Sequence, residues 1–443
     1  MSSSLTIWMN GELVGTWSVD RGSHRLTYDK TWLDSPKRRS LSLSLPITSA
    51  LEIRGPLVAH YFDNLLPDNE KLRERIARRF KTKSIEIFEL LQAVGRDCVG
   101  AVQLLPEGAL PRRWDQIAGE ALSEHQVAEL LRATPAQALL GQAADDDSPR
   151  ISLAGAQEKT ALLFTNNRWH RPLGATPTTH ILKLPLGLVG GSRRVDLSDS
   201  IENEWLCAQV LYYLHLPVAT TELWRFEDQK ALVVTRFDRS RQLGEGGQDW
   251  IARLPQEDFC QALGYSPRQK YEKDGGPGIA EGMRLLAGSS DDSDRQSFAL
   301  TQLAFWLMGA TDGHAKNYSI FLERGDTYIS TPLYDVLSVF PYVGDGANQI
   351  RWRKAGPAMA LRSKNAHWHF VDIEPRHWHA LAMKVGGPVV WEAMVQLARR
   401  VDAALGQMAQ TLPQDFPPRT WDAISQGIRS QAARFLGGVK GLN

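Results

Sequence analysis

Cysteine is scarce in this sequence. Its 443 residues contain three, Cys98, Cys207 and Cys260, far apart and forming no CxxC pair. That pattern argues against a disulfide framework and a structural zinc site, and it fits a reducing cytoplasm. Long apolar runs are missing too. No stretch approaches the roughly 18 residues that a membrane helix needs, so no membrane partner is expected. The opening MSSSLTIWMNGELVG has no basic region leading into an apolar one, so no secretory signal is expected. Internal repeats and low-complexity tracts are absent. Net charge is nearly absent as well, at +1, but it is unevenly spread: residues 1–100 sum to +3, 101–350 to −9 and 351–443 to +7. The basic C-terminal region suits a polyanion-facing surface and equally a solvated helical face.

What is present is ordinary for a soluble globular protein, with 43% hydrophobic and 23% charged residues, and the length suggests two or three domains. The start reads as β: TIWM and LVGTWSV are joined across Asn10-Gly11, a hairpin-turn signal. Asp68 and Asn69 open KLRERIARRF as a helix with a basic outer face. Pro106, Pro111 and AADDDSPR bracket mixed helix and loop, which puts a boundary within 140–150. ISLAGAQEKTALLF then reads as strand, turn, strand, and THILKLPL and ALVVTRFDR read as further strands. In DLSDSIENEWLCAQVLYYLHL, Ser198 to Ser200 supply helix caps. Beyond about residue 250 helices dominate. The expected class is α+β: a β-rich N-terminal domain over 1–145, then a kinase-like domain over 146–443 with a β part at 146–240 and a helical part at 241–443.

The stretch GATDGHAKN places Asp312 five residues ahead of Asn317. Protein kinases use D-x-x-x-x-N in this way, the Asp orienting the acceptor hydroxyl and the Asn holding magnesium. With 28 aspartates and 10 asparagines in the chain, roughly 0.6 such pairs arise by chance, so the neighbours must carry the case. Phosphoryl transfer also needs a backbone cradle, a phosphate-binding lysine and a second metal ligand. Candidates occur in the expected order. Ser152 to Lys159 offers Ala154, Gly155 and Ala156, small residues that let backbone amides approach phosphate. Alone, it is also an ordinary hairpin tip. Lys183 sits in the apolar strand HILKLPL, where burial of an ammonium calls for an anion. Glu202 and Glu204 on the next helix are its candidate partners, with Glu204 preferred. Asp335, in PLYDVLSVF, follows an apolar strand and would be the second metal ligand. Within the loop, Lys316 stands within reach of the transferring phosphate, and His314 reads first as structural.

RISLAGAQEKTALL, PTTHILKLP, RLPQEDFCQALG, KYEKDGGPGIA, GATDGHAKN and PLYDV, together with RSLSLSLPI and FDNLLPDN, resemble the HipA family, the kinase component of a bacterial toxin–antitoxin pair. The resemblance runs to about residue 420. It implies that Ala154, Gly155, Ala156, Gln157, Glu158 and Lys159 form the phosphate loop and that Lys183 binds the phosphates of ATP. It makes Thr235, Arg236 and Phe237 the hinge beside adenine, and puts His314, Lys316 and Tyr334 in the nucleotide-contact set. Asp312 is then the catalytic aspartate, Asn317 and Asp335 hold magnesium (Mg2+), and Ser152 is an autophosphorylation site. The first hinge position is commonly acidic in the family and is Thr235 here. The implied activity is a serine/threonine-protein kinase that phosphorylates glutamate–tRNA ligase, arrests translation and leads to persistence. The implied partners are a helix-turn-helix antitoxin (HipB-like) and, through it, operator DNA.

Two other functions compete: a DNA-associated corepressor with a weak ATP site, and a small-molecule kinase on the same scaffold. If the basic C-terminal region meets DNA, Lys364 and Arg376 are the expected contacts. The segment NAHWHFVDIEPRHWHA departs from the family, with His367, His369, His377 and His379 in two H-W-H units. Paired imidazoles suit zinc or copper, but no carboxylate ligand is evident, and a structural role is expected.

Overall fold

The computed structural model describes residues 3–140, 159–189, 194–244 and 246–439. The chain forms two compact units. One comprises Met1–Leu184, Trp224–Gln269 and Ser319–Tyr328, the other Pro185–Leu223, Lys270–Tyr318 and Ile329–Asn443.

The first unit starts with the expected hairpin. Leu5, Ile7 and Met9 alternate inward along Ser3–Met9, the period of a strand with one buried face. Asn10 and Gly11 both take positive φ, 46° and 85°, as a two-residue turn of the I′ type requires. The resulting antiparallel sheet runs Glu52–Arg54, Ser23–Tyr28, Glu12–Asp20, Ser3–Met9, Gln103–Pro106. Helices Pro56–Asp63 and Ile87–Val94 cover it, and Trp17 stacks on Phe62 with ring centroids 3.9 Å apart. The basic helix Glu70–Phe80 is capped by Asn69, which accepts from the Lys71 amide, and buries no residue.

A second antiparallel sheet in this unit runs Gln229–Thr235, His180–Lys183, Lys159–Thr165, Arg168–Pro172, Gly119–Ala121. One face packs Leu162, Leu182, Ala231, Val233 and Trp169 against Val127 and Leu131 of helix Glu124–Leu140.

A buried ion cluster joins loop 97–100 to residues 178 and 236–253. The Asp97 carboxylate accepts from the Thr178 hydroxyl at 2.7 Å and pairs with Arg239 at 3.0 Å and Arg253 at 3.1 Å. Asp238 pairs with Arg236 at 2.7 Å and accepts the Gly100 amide at 2.7 Å. Burial alone would raise the Asp97 carboxyl, but the three guanidiniums outweigh it and hold it well below the usual carboxylate range.

The second unit is mainly helical. Helix Asp294–Met308 is its core, buried at Phe298, Leu303, Phe305, Trp306 and Leu307. Trp306 meets Trp378 of helix Pro375–Val385 and Phe435 of helix Pro418–Val439. The apolar run that begins at Val389 forms two helices, Pro388–Arg399 and Val401–Ala409.

The N-cap of helix Ser200–Tyr213 falls within the expected 198–200 stretch, at Asp199, but makes no side-chain cap bond. The Asp199 carboxylate is taken instead by the hydroxyls of Tyr342, at 2.8 Å, and Thr420, at 2.5 Å. The expected α+β class holds, with a β-rich N-terminal region and a helical C-terminal part. Among the described residues, no helix is long and apolar enough to cross a membrane.

Candidate active site

Helix Asp294–Met308 ends at Gly309, whose φ of 62° gives the left-handed C-cap, and the chain turns directly into the DGHAKN loop. The loop closes on itself. The Asp312 carbonyl accepts the His314 amide at 2.8 Å and the Asn317 side-chain amide at 2.7 Å. The Asn317 amide in turn donates to the His314 carbonyl at 2.9 Å, completing the 3-10 turn Ala315–Asn317. Asn317 Nδ2 is thereby committed to the loop. Gly313 is required by space: a Cβ there would sit 2.6 Å from the Phe305 ring and 3.0 Å from the Tyr318 hydroxyl.

The Asp312 carboxylate is half exposed, at 51%, with Oδ2 3.9 Å from His314 Nε2. Its Oδ1 accepts the Tyr271 hydroxyl at 2.6 Å. Tyr271 lies in KYEKDGGPGIA but carries no recognisable signal of its own in the sequence, because only the fold brings it to residue 312. Lys316 is buried, at 6% exposure, and its carbonyl accepts the Tyr334 hydroxyl at 2.9 Å, which ties the loop to the segment carrying Asp335. Asp335 has φ 56°, left-handed backbone in which aspartate is over-represented and which clusters at functional sites.

The sequence expectation for the approach to Asp335 is corrected. No strand runs into it: Tyr328–Ser330 ends first, and Leu333 makes only an isolated parallel bridge to Val218. Pro332, which has no amide hydrogen to give a ladder, separates the two.

The first unit collects the other candidates. Lys159 and Lys183 stand directly opposite each other on adjacent antiparallel strands, so both point to one face of the sheet. Lys183 is 3% exposed. Thr235 pairs in register with His180 at the end of its strand. The Arg236 side chain is committed to the buried cluster, bonded to Asp238, Thr178 and the Cys98 carbonyl. The Arg236 side chain is therefore not available to a base, and the neighbouring Phe237 ring meets Phe321 edge-to-face. Glu204 is buried on helix Ser200–Tyr213, in the second unit. Ser152, Ala154, Gly155, Ala156, Gln157 and Glu158 lie outside the described residues.

Asn317 and Asp335, in the second unit, carry hard oxygen donors, the type magnesium takes; Lys159 and Lys183, in the first unit, carry the charge that phosphate attracts. The histidines are arranged differently: His367 and His377 stack with centroids 3.8 Å apart, and His377 Nδ1 accepts the Glu374 amide at a helix start. Lys364 is exposed. Arg376 is exposed too, but it pairs with Glu374 at 3.1 Å.

Residues 5–105 match the HipA N-terminal domain and 151–416 the HipA-like C-terminal domain. The Sinorhizobium fredii protein Y4mE is 31% identical over 416 residues, 92% of this chain and 91% of that one. The serine/threonine-protein kinase toxin HipA of Shewanella oneidensis is 29% identical over 442 residues, covering 93% and 91%. In structure, the HipA chain from a Shewanella oneidensis complex of HipA, HipB and operator DNA aligns over 99% of both chains with a TM-score of 0.79 at 23% identity, which shows a shared fold. The chain belongs to the HipA family of serine/threonine-protein kinase toxins.

Proposed function

We propose that this chain transfers the γ-phosphate of ATP to a protein hydroxyl, with Asp312 accepting the hydrogen bond of the acceptor and Asn317 and Asp335 holding magnesium. The observation that carries it is the closed loop that leaves the Asp312 carboxylate half exposed, bonds the Asp312 carbonyl to the Asn317 side chain, and is tied by Tyr334 to the segment carrying Asp335. Magnesium, when bound, neutralises charge on the β- and γ-phosphates. The chain's own residues do the rest. Lys183 and Lys159 attract the phosphates, Lys316 adds positive charge in the loop, and the backbone of Ala154 to Glu158 cradles the phosphates. Thr235 and Phe237 border the base, and Arg236 anchors that segment. His314, buried within the loop, meets the Tyr271 ring edge-to-face.

The acceptor we propose is glutamate–tRNA ligase, whose phosphorylation arrests translation and produces persistence; the family resemblance supports it. Phosphorylation of Ser152 would then switch the kinase off, because a phosphate there adds about −1.5 to −2 charge where the triphosphate must sit. The partner is a HipB-like antitoxin, through which the chain corepresses its operon at operator DNA. The fold match to a chain crystallised with HipB and operator DNA supports this.

The test is incubation of the purified chain with γ-32P-ATP, magnesium and purified glutamate–tRNA ligase, followed by mass spectrometry of both proteins. Label on the ligase and on Ser152 is expected. Label in a small molecule only, or nowhere, would replace this proposal with a small-molecule kinase or a corepressor with a weak ATP site.

A further inference from the structure

The hydrogen bond from Tyr271 to Asp312 belongs to no element of the kinase machinery described above. We infer that Tyr271 is the positioning residue of the catalytic aspartate, holding one carboxylate oxygen so that the other faces the acceptor hydroxyl. The inference rests on the role proposed for Asp312.

An aspartate carboxylate turns broadly about its last torsion, and half exposure does little to restrain it. The loop fixes the Asp312 backbone through its carbonyl, but the orientation of the carboxylate needs a donor. Tyr271 supplies one at 2.6 Å, in the short range of hydrogen bonds to a charged acceptor.

The phenol is itself mounted rigidly. Its ring meets the buried His314 ring edge-to-face, with centroids 4.9 Å apart at 86°. The Lys270 carbonyl accepts the Ala315 amide at 3.1 Å, so the residue before Tyr271 is pinned to the catalytic loop. The residue after it is pinned elsewhere: the Glu272 carboxylate accepts the Ala360 amide at 2.7 Å and Arg362 Nε at 2.9 Å. The ammonium groups of Lys270 and Lys273 lie 5.3 and 5.5 Å from the ring centroid and hold its face. A side chain on a fixed turn, bonded to one oxygen of a movable carboxylate, is how a supporting residue pre-organises a reacting one.

The test is Tyr271→Phe, which keeps the ring on His314 and removes only the hydroxyl. The readout is phosphate transfer from γ-32P-ATP, to the chain itself and to added glutamate–tRNA ligase, over a range of ATP concentrations. The maximal rate is expected to fall about tenfold to a hundredfold, the range for losing a hydrogen bond to a charged group. Half-saturating ATP should stay within about twofold. A purely structural tyrosine would leave the maximal rate in place or shift it together with half-saturating ATP, and either result overturns the inference. A faster Tyr271→Phe enzyme also overturns it, since the hydroxyl would then be competing with the acceptor. Asp312→Asn is run in parallel. An inactive Asp312→Asn beside an unaffected Tyr271→Phe rejects the positioning role alone, whereas an active Asp312→Asn rejects the role of Asp312 itself.

Discussion

Replacing Asp97 by asparagine removes one of the two negative charges from a cluster that holds three arginines. The side chains of Arg236, Arg239 and Arg253 are each 2% exposed, and that of Asp97 is 8% exposed. Asparagine is nearly isosteric and keeps one acceptor, so any loss reports charge. Breaking a buried ion pair by removing one partner costs about 3–5 kcal/mol, because the remaining charge stays buried and uncompensated. At about 2–4 °C per kcal/mol for a unit of this size, the melting temperature should fall by roughly 6–20 °C. The pH dependence follows in sign. The folded-state value of Asp97 is depressed, so its contribution is complete above the unfolded carboxylate range, about pH 4, and is lost as pH falls further. Melting curves of wild type and Asp97→Asn should therefore converge in acid. ATP affinity should also drop, because Arg236 and Arg239 anchor the 235–237 segment to the 97–100 loop. A variant that melts within about 1 °C of wild type at pH 7 would refute the view that this cluster is clamped by its opposite charges.

Asp335→Ala should weaken ATP binding only when magnesium is present, so a magnesium titration of ATP affinity that matches wild type would count against its role as ligand. Gly313→Ala drives a methyl group into Phe305 and should cost about 1–3 kcal/mol with a fall in transfer rate, read by melting and by label incorporation. Burial pushes the Glu257 carboxyl up to about 8, one oxygen accepting the Leu43 amide at 2.9 Å. The folded protein therefore keeps a proton there that the unfolded chain has released, and stability should fall as pH rises from about 4.5 to 8. Glu257→Gln keeps the acceptor and should flatten that slope; an unchanged slope would refute it.

The parts of this structure that depend on local pattern were legible in the sequence. The Asn10-Gly11 hairpin, the Asn69-capped basic helix and the strand around Lys183 follow from turn chemistry and periodicity over a few residues. The Asp312–Asn317 loop was legible because its D-x-x-x-x-N spacing is local as well. Features built by tertiary contact were not. Nothing near Ser198–Ser200 reveals that Asp199 answers to Tyr342 and Thr420 instead of capping its own helix. The commitment of Arg236 to Asp97, 139 positions away, is likewise invisible to pattern. Tyr271 is the functional example. It lies 41 positions before Asp312, and only the folded chain makes its hydroxyl a neighbour of that carboxylate.

The most direct measurement of the central claim is phosphate transfer from γ-32P-ATP by wild type and Asp312→Asn at saturating ATP and magnesium, with ATP affinity measured on both. Asparagine keeps the shape and loses the charge that orients the acceptor. The account predicts transfer by wild type, a loss of about a hundredfold to ten-thousandfold in the variant, and unchanged ATP binding. Equal transfer by the two proteins, or none by wild type, would contradict it.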